Sequence, residues 1–168
     1  NSNIAVNDSI ATTTGNINVL ADNDVTFDAT SDITSTSGNV VVTADTDGAV
    51  DGGGSDQGAL TMADGAVINA GSGTVDMDAN EHVSVSIVTT SSTVDATSAV
   101  GAIVDNTAAE AANITGSTLD LDAVTGIGSG ATLDGAGDLD IDGTLLSAVN
   151  TTSGNINVNE VNSIALDD

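Results

Sequence analysis

Apolar residues alternate with polar ones in short bursts along this chain. No window of useful length favours the period of a helix. In "GNINV", Ile17 and Val19 share one face and Asn16 and Asn18 the other. In "DLDID", the same alternation predicts Leu139 and Ile141 pointing inward, with Asp138, Asp140 and Asp142 outward. Between the bursts lie Gly, Asn, Asp, Ser and Thr, which form turns and are poor helix formers. The best helix candidate is "NTAAEAANI" at 106–114, Ala-rich with Asn106 as an N-cap. It reads as a loop excursion with one helical turn.

One phrase occurs near both ends. Aligning Gly15 with Gly154 superposes "GNINVLADNDVTFDA" on "GNINVNEVNSIALDD", so that Val25 and Phe27 fall on Ile164 and Leu166. Looser copies lie between: "STSGNVVVTA" at 35–44, "GSGTVDMDANEHVSVSI" at 71–87, "SSTVDATSA" at 91–99, "TGSTLDLDA" at 115–123 and "GAGDLDIDG" at 135–143. In the 71–87 copy, Val83 and Val85 fall where Val25 and Phe27 fall. The intervals are unequal, roughly 17 to 35 residues, as expected of a solenoid whose units carry loops of different length.

An all-β parallel β-helix accounts for these features together, as a single β-solenoid domain over residues 1–168 with irregular loop excursions. Like strands stack ~4.8 Å apart. Small β-branched residues fill a narrow interior, Gly and Asn take the corners, and stacked Asn ladders tie coil to coil. The alternative is a β-sandwich, which would draw on aromatics and larger core residues. Phe27 is the only aromatic here.

Composition narrows the function. The 168 residues contain no Lys and no Arg, 25 acids and one His, for a formal net charge of −25. Nucleic acid and anionic membranes require basic side chains, so both are excluded as partners. Cations, cationic surfaces, neutral glycans and further copies of the chain are left. Disorder is rejected, because hydrophobic residues make up 39% of the chain and Pro is absent. Cys is absent, so there is neither a disulfide framework nor a thiolate metal site. No stretch approaches the ~18 apolar residues of a membrane helix. The chain opens on Asn1 without a signal segment, which reads as a processed protein or a piece of a longer one.

Acids in outward strand positions suggest cation dependence. Asp76 and Asp78 lie on one strand, Asp120 and Asp122 on another, and Asp138, Asp140 and Asp142 on a third; Asp45, Asp47 and Asp51 lie in the Gly-rich run "DTDGAVDGGGSD". Stacked carboxylates one strand spacing apart repel by roughly 0.9 kcal/mol per pair in bulk water, and about four times that at an effective dielectric near 20. Hard carboxylate and carbonyl oxygens suit Ca²⁺ best. These ten residues are therefore the candidate metal ligands. "DLDIDG" opens like an EF-hand loop, but Val149 stands where the twelfth-position Glu is required. The Gly/Asp turns lack the nonapeptide spacing of calcium β-rolls. Solvated acidic faces, kept for solubility at high salt, are the competing reading.

Catalytic patterns are missing. Polysaccharide chemistry on β-helices calls on Lys or Arg, and exposed Asp pairs lack the burial that separates two carboxyl pKa values. His82 has no G-x-S-x-G partner and reads as a turn residue. "GIGSGA" at 126–131 has no helix after it and reads as a loop. Asn7, Asn113 and Asn150 lie in N-x-S/T sequons. No enzymatic activity is expected.

Through "SGNVVVTA", "SGNINVNEVNSIALDD" and "GAGDLDIDG", the chain resembles the repeat regions of filamentous-haemagglutinin-like and autotransporter-type bacterial adhesins. The resemblance is loose and covers most of the chain. It implies a right-handed β-helix, secretion, and a surface or matrix role, and it carries no catalytic residues. The chain begins and ends in mid-pattern. The expectation is a segment of a longer array, or a subunit stacked end to end, in an extracellular surface filament or biofilm-matrix fibre that Ca²⁺ hardens. Without Lys or Arg such a fibre offers trypsin no cleavage site. The alternative is an adhesin module whose loops at 45–58 and 100–114 contact a glycan or receptor. An ice-binding solenoid would need a regular Thr ladder, and "TTT" at 12–14 does not recur in register.

Overall fold

The computed structural model describes residues 2–46, 58–108, 111–128 and 137–166. Among these, every regular element is a β-strand, and the strands stack in parallel as a β-solenoid of about six turns. The first coil holds β1 (Ile4–Val6), β2 (Ile10–Thr12) and β3 (Ile17–Ala21). The second holds β4 (Val25–Phe27), β5 (Asp32–Ser35) and β6 (Val40–Ala44). The third holds β7 (Leu60–Met62), β8 (Val67–Gly71) and β9 (Val75–Ala79). The fourth holds β10 (Val83–Val85), β11 (Ile87–Thr90) and β12 (Thr93–Ser98). In the fifth, β13 (Ile103–Asp105) precedes β14 (Ile114–Ala123), one strand long enough to serve two columns. The sixth repeats this with a bridge at Ile127 and β15 (Leu139–Asn150). A last partial coil has a bridge at Ile156, then β16 (Val158–Glu160) and β17 (Ala165–Leu166).

Three columns result. The first runs Ile4, Val25, Leu60, Val83, Ile103, Ile127, Ile156. The second runs Ile33, Ile68, Val88, Ile114, Ile141 above Ile10. The third runs Ile17, Val40, Val75, Val94, Leu119, Leu146, Leu166. Most inward positions are Val, Ile, Leu, Ala or Met, with Ser35, Thr90 and Ser98 at the inward ends of β5, β11 and β12, and the lone Phe27 stacks between Val6 and Met62. The period-2 pattern thus places one face of each strand in a continuous dry interior. The β-sandwich alternative is set aside, because each column is a parallel ladder between successive coils.

Three sequence expectations are corrected. First, the two "GNINV" phrases are not equivalent rungs. Ile17 opens a third-column strand, whereas Ile156 bridges Ile127 in the first column and Val158 pairs with Leu139 in the second. Second, "DLDIDG" belongs to the second column, and the third-column segment of its coil is Leu145–Asn150. Third, no helix forms at 106–114 among the described residues. Asn106 Nδ2 donates to the Met62 carbonyl at 2.7 Å and Ile114 opens β14, so strand pairing and side-chain ties capture both ends of the excursion.

Candidate functional site

Polar side chains at the corners do the work of coil-to-coil attachment. The position just before the first column is Asn3, Asp24, Ala59, His82 and Ala102 in successive coils. Asn3 Oδ1 accepts from the Asp24 amide at 3.3 Å, Asp24 Oδ1 from the Ala59 amide at 3.0 Å, and His82 Nδ1 from the Ala102 amide at 3.0 Å. Each side chain receives an N–H of the coil above, a group that would otherwise need water. His82 is therefore a corner residue, with Nδ1 as acceptor and the proton of the neutral ring on Nε2. Before the third column, Asn16 Oδ1 accepts from the Asn39 amide and Asn39 Oδ1 from the Thr74 amide, each at 3.0 Å. This is the expected asparagine ladder.

A third ladder is buried. Asn113 has no exposed surface. Its Oδ1 accepts from the Asp140 amide at 2.9 Å, and its Nδ2 donates to Asp105 Oδ1 at 2.7 Å, to Thr107 Oγ1 at 3.1 Å and to the Ser86 carbonyl at 3.3 Å. In the next coil Asn159 Nδ2 donates to Asp140 Oδ1 at 2.7 Å. Burial takes Asn113 out of consideration as a glycan acceptor in the folded chain, whereas Asn7 is exposed and Asn150 half-buried.

The candidate metal ligands divide accordingly. Asp76 and Asp78 on β9 and Asp120 and Asp122 on β14 do share the outer face of the third column. Between them stands Asp95 of β12, which sequence reasoning passed over because its coil is a degenerate copy of the repeat. The register is Val41, Asp76, Asp95, Asp120, Ser147 in one row and Thr43, Asp78, Thr97, Asp122, Val149 in the next. Burial and then the Asp76 charge raise the Asp78 pKa. Burial raises that of Asp95 to about 6, with further contributions from Asp120, Asp76, Asp78 and Asp122.

Asp138 and Asp140 are not outward; both are buried. Asp140 is sandwiched between the amides of Asn113 and Asn159, and Asp138 lies at the corner leading into Leu139. Asp142 is half-buried and accepts from Asn162 Nδ2 at 3.1 Å. Asp45 adopts φ 66° and its Oδ2 accepts from Asn80 Nδ2 at 2.7 Å, another coil-to-coil tie. Asp47 and Asp51 lie outside the described residues. Among the described residues, no group of three or more Asp, Glu or His side chains is placed to hold a metal ion, and no helix is long and apolar enough to cross a membrane.

At both ends the apolar interior reaches the surface. Ile33 and Ile68 are fully buried, but Ile10, below them in the same column, is 39% exposed. A shallow groove there is lined by Ile4, Val6, Ile10 and Val19 together with the polar Asn7, Asp8, Ser9 and Asn18. At the other end Leu146, Ala148, Ile156, Val158 and Leu166 line a second groove, with Leu166 75% exposed. No protein-family model, curated protein or solved structure matches the chain.

Proposed function

We propose that this chain is a structural subunit of an extracellular surface filament or matrix fibre, built by head-to-tail stacking of solenoids. The observation that carries the reading is that the first and last rungs of the described solenoid present the same three columns, so that further coils, of this chain or of another copy, can continue the ladders in either direction. A copy placed on the last rung would bring Ile4, Ile10 and Ile17 over the first, second and third columns. Because the two faces differ, such a contact is heterologous and does not close, so it propagates as a fibre. Its cohesion would come from unpaired strand-edge N–H and C=O groups and from apolar burial. The repeat-level resemblance to bacterial surface adhesins, the absence of cysteine and the absence of trypsin sites support the extracellular setting. Ca²⁺ is assigned the part of a diffuse counter-ion to the third-column acids.

Sedimentation velocity and negative-stain microscopy of the purified chain test this. Filaments are expected, and they persist in EDTA. Ile10→Asp at one end or Ile156→Asp at the other should each abolish them, since every junction uses both faces. Val100→Asp, at an exposed corner of the middle coils, should leave them intact. Filaments unaffected by both end substitutions, with circular dichroism showing each variant folded, would refute head-to-tail stacking. Dissolution in EDTA would transfer the cohesion to bound metal.

A further inference from the structure

Glu160 stands in a row that is otherwise aliphatic. Ile33, Ile68, Val88, Ile114 and Ile141 succeed one another in the second column, each fully buried, and Ile141 pairs with Glu160 in the last coil. Residues paired in register present their side chains to the same face of a sheet. The register therefore sets Glu160 on the inward side of β16. Its side chain reaches the corner that follows, where Oε1 accepts from the Asn162 amide at 3.1 Å and Oε2 from the Gly143 amide at 3.4 Å. The other two columns carry apolar side chains at this rung, Ile156 in the first and Leu166 in the third.

A further coil laid on β16 has to meet that carboxylate. If it is the first coil of another copy, as in the head-to-tail reading on which this step rests, Ile10 arrives opposite Glu160. A carboxylate enclosed beneath an aliphatic side chain is costly unless a cation accompanies it. The incoming coil supplies no basic side chain: residues 2–21 contain no Lys, Arg or His, and Asp8 brings another acid two positions before Ile10. Charged side chains pointing inward from an edge strand are one means by which sheets discourage pairing at that edge.

We propose that Glu160 is an edge guard, an inward acid that weakens the junction with the next copy and keeps fibre growth reversible. It acts on the second column alone. The first column, Ile156 against Ile4, and the third, Leu166 against Ile17, are left to hold the copies together. An aliphatic residue at position 160 would carry the row unbroken from Ile141 of one copy to Ile10 of the next.

The test measures by sedimentation the lowest concentration at which filaments form, for the unmodified chain, Glu160→Leu, Glu160→Gln, Asp64→Asn and the double variant Glu160→Leu with Ile10→Asp. Asp64→Asn removes the same charge from an exposed turn. Glu160→Leu should form filaments at a concentration roughly tenfold lower or less. Glu160→Gln, which loses the charge and keeps an acceptor for the two amides, should fall between. Asp64→Asn should match the unmodified chain, and Ile10→Asp should abolish the gain. Circular dichroism checks each fold, and Glu160→Gln carries the test if Glu160→Leu misfolds. An unchanged threshold in both Glu160 variants would overturn the guard and leave head-to-tail stacking standing. An equal gain in Asp64→Asn would overturn it in favour of net charge. Filaments from Glu160→Leu but none from the unmodified chain would uphold the guard and overturn the fibre reading of the unmodified chain. No filaments from any of them would overturn both.

Discussion

Gly38→Ala is expected to lower stability by about 3 kcal/mol, at the upper end of what overpacking a tight site costs. A Cβ at Gly38 would stand 2.0 Å from the Gly15 carbonyl oxygen, and a Cβ at Gly73 would stand 2.2 Å from the Gly38 oxygen. These glycines form a column at the corner entering the third strand column, where backbone lies directly on backbone. The obstacle is main chain rather than the tip of a side chain, so relief requires the coils to part. Parting would strain the adjacent bonds from the Ile17 amide to the Asn39 carbonyl at 2.9 Å and from the Asn39 amide to Asn16 Oδ1 at 3.0 Å. Gly15→Ala supplies the contrast. Its Cβ would meet only the Thr12 side chain, at 3.1 Å, and a change within about 0.5 kcal/mol is expected, as for surface sites. Urea midpoints of the two variants check this. Similar midpoints would mean that backbone approach is not what these glycines provide.

Asn113→Ala is expected to cost about 3 kcal/mol by leaving buried polar groups unmatched. It deprives the Asp140 amide of its Asn113 acceptor and withdraws a donor from Asp105, Thr107 and the Ser86 carbonyl at once. The excursion after β13 should lose its attachment to the fifth coil. Asn113→Asp should be worse at neutral pH, because it sets a second carboxylate against Asp105 Oδ1. Hydrogen exchange at the Asp140 amide reads the effect directly. Protection should fall in Asn113→Ala, whereas Asn113→Asp keeps an oxygen to accept this amide and is read instead by its lower melting temperature at neutral pH; retained protection in Asn113→Ala would show that the ladder is dispensable.

The columns were legible wherever a local phrase and its place in the coil coincided. "SGNVVV", "GTVDMD", "STVDA" and "STLDLD" place Val40, Val75, Val94 and Leu119 in register, as the alternation predicts. The phrase at Gly154 misled because Gly-Asn followed by an alternating strand suits any corner of a solenoid. Which column a strand joins is decided by the lengths of the connections before it, and those vary from coil to coil. The same limit explains the acids. Asp138 and Asp140 share the alternation of Asp120 and Asp122, but both are buried, and Asp140 is enclosed between Asn113 and Asn159 of the neighbouring coils. Asp95 was missed for the opposite reason. Its own strand carries a single acid, and its significance comes from the strands on either side. Burial of Asn113 and the use of His82 as a stand-in for a ladder Asn depend on contacts about 20 or more residues away in sequence.

The most direct test of the account is cryo-electron microscopy of the assembled chain at neutral pH. The account predicts filaments one solenoid wide, in which rungs about 4.8 Å apart run without interruption across the junction from the Ile156–Leu166 end of one copy to the Ile4–Ala21 end of the next. Discrete particles, or filaments whose copies meet side by side with the rung spacing broken at each junction, would contradict it.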